Sequence, residues 1–127
     1  MSKFIFVLLI TISSISVASA DYPIKLNVIT TNLSEPWGMS FINDDTLLIT
    51  EKTGSIIRID MKTGNKSEIE HDLDFYYYGQ GGLLDILYHD GYVYVSYSED
   101  RENGKSSTSV ARGVYGEERI SFKNIFR

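Results

Sequence analysis

The chain contains no cysteine, which excludes disulfides, a thiolate nucleophile and any thiolate-bound metal, so its stability must come from packing alone. It has no cluster of basic residues either. The 12 lysines and arginines are scattered among 17 acidic residues for a formal charge of −5, which is not the electrostatic footprint of a nucleic-acid binder or of a protein drawn to anionic lipid. Helical periodicity is missing, and no apolar run reaches the roughly 20 residues that a membrane span requires. Histidine is scarce: only His71 and His89 could serve as a base near neutral pH. Gly79, Gly81 and Gly82 have no Lys-Ser/Thr after them and lead into a strand, which excludes a P-loop and a dinucleotide fingerprint. There is no Gly-x-Ser-x-Gly elbow. The acidic stretch Glu99-Asp100-Arg101-Glu102-Asn103 lacks the alternating oxygen ligands of an EF-hand and reads as a solvated turn.

What is present begins with an export signal. Lys3, an apolar run over residues 4–12, a serine-rich stretch and Ala18-Ser19-Ala20 stand in the order that signal peptidase reads. Residues 1–20 are therefore expected to be a signal peptide and residues 21–127 the mature chain, periplasmic or secreted and without a membrane anchor. Only Lys3 is lost among the charged side chains, so the 107 remaining residues carry −6.

The mature chain alternates β-branched and aromatic segments with turn residues, which predicts an all-β protein. Strands are expected at 24–31, 37–42, 46–51, 55–60 and 66–71, and then at 82–89, 92–99, 108–115 and 119–126. Asn43-Asp44-Asp45, Lys52-Thr53-Gly54, Lys62-Thr63-Gly64-Asn65, Asp90-Gly91 and Asn103-Gly104 supply the turns. Aligning Gly38-Met39-Ser40-Phe41 with Gly82-Leu83-Leu84-Asp85 gives a repeat of 44 residues with four strands in each, the spacing of β-propeller blades. The first strand of each blade would be packed on both faces, and the last would be exposed. A sandwich also has short strands at regular intervals and stays open as an alternative. Two blades do not close a ring, so residues 21–127 read as an incomplete domain with uncovered sheet faces.

Gln80 is the leading candidate for function. Its amide offers donors and an acceptor, and the glycines around it permit a tight turn and the close approach of a planar ligand. Tyr76-Tyr77-Tyr78 lead into that turn, and an aromatic face such as that of Tyr78 can stack on a pyranose ring or a quinone. Trp37 is expected to pack between blades, Arg112 to pair with Asp85 or Glu99, His89 to shape a turn and His71 to be solvated.

Pro36-Trp37-Gly38-Met39, Gly79-Gln80-Gly81-Gly82-Leu83-Leu84 and Val110-Ala111-Arg112-Gly113 together resemble the pyrroloquinoline-quinone (PQQ) dependent aldose dehydrogenases, the glucose/sorbosone dehydrogenase family. The likeness covers nearly all of the chain after residue 20. It implies a six-bladed propeller of which this chain is the N-terminal part, and oxidation of an aldose sugar at its anomeric carbon to a lactone, with electrons passed to an acceptor. It also implies that Gln80 faces the cofactor and sugar pocket and that Tyr78 lies on the substrate side. The family's catalytic histidine, its PQQ-carboxylate anchors and its calcium site have no match after Arg112, so PQQ and Ca2+ would be held mainly by parts outside this chain, and no catalytic residue is assigned within it. The competing reading is a secreted propeller that binds or scaffolds without catalysis.

Material exported from a bacterial host should begin at Asp21, as read by mass spectrometry of the intact protein. Soluble exported chains that retain Met1 would refute the cleavage site.

Overall fold

The computed structural model describes residues 23–127, so the signal-peptide expectation falls outside the described residues. Every regular element among those residues is a β-strand, and there is among them no helix long and apolar enough to cross a membrane. Four strands, β1 (Pro36–Asn43), β2 (Thr46–Glu51), β3 (Ile56–Asp60) and β4 (Lys66–His71), run as an antiparallel meander. Their turns close through short polar side chains. Asn43 Oδ1 accepts the Asp45 amide at 2.9 Å, and Asp60 Oδ1 accepts the amides of Lys62 at 2.8 Å and Thr63 at 2.9 Å. These bonds, that from Thr63 foremost, hold the Asp60 carboxyl below its ordinary value.

A second sheet repeats the pattern with β5 (Leu83–His89), β6 (Tyr92–Asp100) and β7 (Ser106–Val114). Asp90 and Gly91 both have positive φ, 49° and 80°, the backbone that a two-residue hairpin demands. The expected strand at 119–126 is split. Arg119–Ile120 forms β8, which pairs in parallel with β4 at the outer edge of the first sheet, and Phe122–Phe126 forms β9, which closes the second sheet against β7. Burial of Ile120 between the sheets is the reason: the chain must reach across to place that side chain, and Asp72 then holds the Ser121 hydroxyl and the Phe122 amide.

The core lies between the sheets. Leu48, Ile56 and Ile69 meet Leu83, Ile86, Val93, Val95, Tyr97 and Ala111, with Ile120 at the outer side. Complete burial of an aliphatic side chain of this size is worth about 1.5–3 kcal/mol, so this layer dominates the folding energy. β1 and β5 approach each other closely. A Cβ on Gly38 would lie 2.8 Å from Asp85 Cα and 2.9 Å from the Ile86 amide nitrogen. Hydrogen bonds cross the same seam: the buried Thr50 hydroxyl donates to the Leu84 carbonyl, and the Tyr88 amide donates to Ser40 Oγ at 2.9 Å.

Two expectations need correction. Residues 24–31 are not a strand. Ile24, Leu26 and Val28 are more than four-fifths exposed, because this segment runs beside the turn between β3 and β4 and not along a free sheet edge. It is tied there by Lys66 Nζ, which donates to the carbonyls of Thr31 and Asn32 at 2.8 Å each. The first strand of each sheet is packed on one face only. Trp37, Met39 and Phe41 of β1 and Leu87 of β5 are more than half exposed, since each sheet has one neighbouring sheet among the described residues. Trp37 therefore does not pack between the two sheets.

Gly38→Ala should destabilise the chain by about 1–3 kcal/mol, because the added methyl group meets backbone atoms that cannot move independently. The urea midpoint checks this; an unchanged midpoint would mean that the seam is looser than described.

Candidate functional site

The connection from β4 to β5, residues 72–82, carries Gln80 and lies at the end of the molecule that also holds the β2–β3 turn. It is anchored on both sides. The Tyr76 amide donates to the Ser98 carbonyl at 2.7 Å and the Ser98 amide to the Gly82 carbonyl at 2.9 Å, while the Leu83 amide donates to the Lys52 carbonyl at 3.3 Å. Between these points residues 78–81 form a tight turn closed by Gly81 N–H to the Tyr78 carbonyl at 2.8 Å, with Gly79 at φ 58°. Gly82, at φ 143°, presses on the Lys52 carbonyl so closely that no Cβ fits. Gln80 stands exposed at the tip, and Tyr78 beside it is 76% exposed with its ring 6.3 Å from that of Tyr76.

Tyr77 points back to the first sheet. Its hydroxyl donates to Glu35 Oε2 at 3.3 Å, and Lys52 Nζ sits 5.5 Å from its ring centroid and 3.5 Å from the same carboxylate oxygen. Glu35 is itself unusual. It precedes Pro36 yet has φ 49°, a left-handed backbone that costs a non-glycine residue on the order of 1–3 kcal/mol. Its carbonyl accepts the Lys52 amide at 3.0 Å, so both the backbone and the side chain of Glu35 engage Lys52.

Glu99, expected in a solvated turn, is buried near the end of β6. Its carboxylate accepts from Ser109 Oγ at 2.7 Å, Asn124 Nδ2 at 2.9 Å, Arg101 at 3.1 Å and Arg127 at 2.9 Å. The Ser109 bond, aided by the two guanidinium groups, holds the Glu99 carboxyl below its ordinary value against the opposing effect of burial. Arg112 pairs with neither Glu99 nor Asp85. It lies exposed over the Tyr92 ring, 4.6 Å from the centroid, because its position on β7 faces away from the first sheet. His71 is not solvated as expected: Nε2 meets the Gly54 carbonyl at 2.6 Å and Nδ1 accepts the Leu73 amide at 3.3 Å, so both ring nitrogens are engaged. His89 is exposed at the far end of β5 from Gln80, against the hairpin turn.

The structure thus brings Tyr77, Lys52 and Glu35 together below the Gln80 turn and leaves Gln80 and Tyr78 on an open surface. A cleft at the outer edge of the first sheet, lined by Arg58, Glu68, Glu70, Glu117 and Arg119, includes neither of them. Among the described residues no group of three or more histidines and carboxylates is arranged to hold a metal ion. Glu35 and Lys52 were missed by the sequence reading because each stands far from Gln80 in the chain. The one local signal was a charged residue before Pro36, which does not reveal its partner.

Two meandering sheets packed through their first strands, with a glycine-bounded glutamine turn at one end, define an all-β protein built from repeated meanders. Residues 33–127 match the family model described as Glucose / Sorbosone dehydrogenase, and the chain belongs to that family. The aldose sugar dehydrogenase YliI of Escherichia coli is 29% identical over 98% of this chain and 36% of its own length. Among solved structures, the PQQ-bound aldose sugar dehydrogenase of Streptomyces coelicolor is 28% identical with a TM-score of 0.71, over 80% of this chain and 33% of that one. The soluble aldose sugar dehydrogenase of Escherichia coli in its apo form is 28% identical with a TM-score of 0.72, over 80% of this chain and 32% of that one. The chain therefore spans about a third of the length of these relatives.

Because the Glu99 carboxyl is depressed, its contribution to stability is complete above its ordinary value of 4.5 and is lost as the pH falls through the lower folded-state value. Glu99→Gln should cost about 1–3 kcal/mol at pH 7 and flatten the decline of the urea midpoint in that acidic window. An unaltered pH profile in Glu99→Gln would show that other carboxylates govern acid stability.

Proposed function

We propose that this chain is the N-terminal part of an exported, PQQ-dependent aldose sugar dehydrogenase that oxidises the anomeric carbon of an aldose to a lactone and hands two electrons to an acceptor. In this reading residues 1–20 are a signal peptide and residues 21–127 contribute the first two blades of a propeller. The exposed apolar flanks support the propeller: Trp37, Met39 and Phe41 on one side and Leu87, Val114, Ile125 and Phe126 on the other are surfaces that further blades would cover.

The observation that carries the reading is the placement of Gln80 at an exposed turn, in the motif that the family resemblance assigns to the sugar and cofactor pocket. Its amide would hydrogen-bond substrate or quinone, and the exposed Tyr78 face would stack beside it. PQQ is a planar tricarboxylate. The turn fits the planar part of such a ligand but not its carboxylates, because the cation below it, Lys52, is committed to Glu35. The anchors, the Ca2+ ion and the base would then come from the rest of the polypeptide, a view supported by the engagement of both His71 nitrogens and by the remote position of His89.

The full-length protein, reconstituted with PQQ and calcium, should reduce an artificial acceptor with an aldose, while residues 21–127 alone should not. Gln80→Ala should lower kcat/KM roughly three- to tenfold, the value of one neutral hydrogen bond of about 0.5–1.5 kcal/mol, with little change in Tm. A full-length protein that binds sugar but never reduces the acceptor would establish the binding module instead, and full kcat/KM with a lowered Tm in Gln80→Ala would make the residue a turn element.

A further inference from the structure

We propose that Glu35, Lys52 and Tyr77 form a positioning clamp through which the first sheet sets the direction of Gln80 in the second. The inference rests on the reading of Gln80 given above. The backbone bonds that tie the 72–82 connection to the rest of the fold stop at Tyr76 on one side and resume at Gly82 on the other, so the segment that contains Gln80 spans a gap between them. Tyr77 tethers that gap through its side chain, and its partners Glu35 and Lys52 both belong to the opposite sheet.

The clamp has a built character that a chance surface pair lacks. Lys52 is largely buried, with 14% of its side chain exposed, and holds one oxygen of Glu35 that the Tyr77 hydroxyl also reaches. Glu35 keeps a left-handed backbone immediately before a proline, a conformation that persists only where surrounding contacts over-determine it and that clusters at ligand sites. The Lys52 carbonyl simultaneously receives the Leu83 amide and abuts Gly82, so the same residue fixes the base of the turn by its backbone and the approach to the turn by its side chain. Three contacts thus converge on Tyr77 and Gly82, on either side of Gln80: the Glu35 carboxylate and the Lys52 ammonium meet Tyr77, and the Lys52 carbonyl abuts Gly82, while Gln80 itself is left exposed for a ligand. None of the three clamp residues is assigned a contact with substrate; each acts through the turn.

The test is a double-mutant cycle in the full-length protein. Tyr77→Phe keeps the ring over Lys52 and removes only the hydroxyl bond to Glu35. It should lower kcat/KM about threefold in the wild-type background and have almost no effect in the Gln80→Ala background, because a positioning residue has nothing left to position. Glu35→Ala should act like Tyr77→Phe, and Glu35→Gln, which retains an acceptor for the hydroxyl, should recover most of the loss. Amide hydrogen exchange provides a readout that needs no activity: exchange should quicken at residues 78–82 in Tyr77→Phe and stay unchanged in β5 and β6. Additive losses, or unchanged exchange at the turn, would overturn the clamp. If Gln80→Ala alone leaves kcat/KM intact, the reading of Gln80 has failed, and the exchange data still report separately whether the clamp orders the turn.

Discussion

The backbone of β5 lies so near Gly38 that no side chain can stand there, and this close approach of two first strands is what the remaining structure depends on. With the strands in contact, the Thr50 hydroxyl reaches the Leu84 carbonyl and Ser40 reaches the Tyr88 amide, which fixes how far one sheet can slide against the other. Only in that register do Leu48 and Ile56 meet Leu83 and Val95, and the apolar layer between the sheets closes. The hydrophobic term supplies the energy of this layer but no direction. The hydrogen bonds across the seam supply the direction.

The same registration places the 72–82 connection over the β2–β3 turn and so brings Lys52 under Gly82. Charge is treated differently at the two depths of this end. Glu99 is buried and surrounded by donors from β7, β9 and the turn after β6, as a buried carboxylate must be. Lys52 and Glu35 are nearer the surface and neutralise each other, leaving an uncharged amide, Gln80, and a phenol face, Tyr78, as the groups presented outward.

Much of the architecture was readable in the residues. The turns at Asn43-Asp44-Asp45 and Asp90-Gly91 and the strands Thr46–Glu51 and Lys66–His71 were legible because local chemistry decides them: Asx bonds, positive φ and alternation act within a few residues. The strand expected at 24–31 was misread because alternation states which residues could form a strand and not whether a neighbouring edge exists. The single strand expected at 119–126 failed for a related reason. Ile120 is buried in the core between the sheets, where local preference counts for less than the cavity its absence would leave.

The sequence by itself determined that the chain is all-β, that it is built as a repeated meander, and that Gln80 stands on a glycine turn, since each of these follows from side chains acting on their own neighbourhood. Only the tertiary structure decided which charges pair. Arg112 was expected to meet Asp85 or Glu99 and lies over Tyr92, whereas Glu99 is claimed by Arg101 and Arg127, and Glu35 finds Lys52 and Tyr77. The physical reason is that a side chain's face and reach depend on strand register and on the contact between sheets. A shift of one residue in β6 or β7 would turn Glu99 or Arg112 to the opposite face.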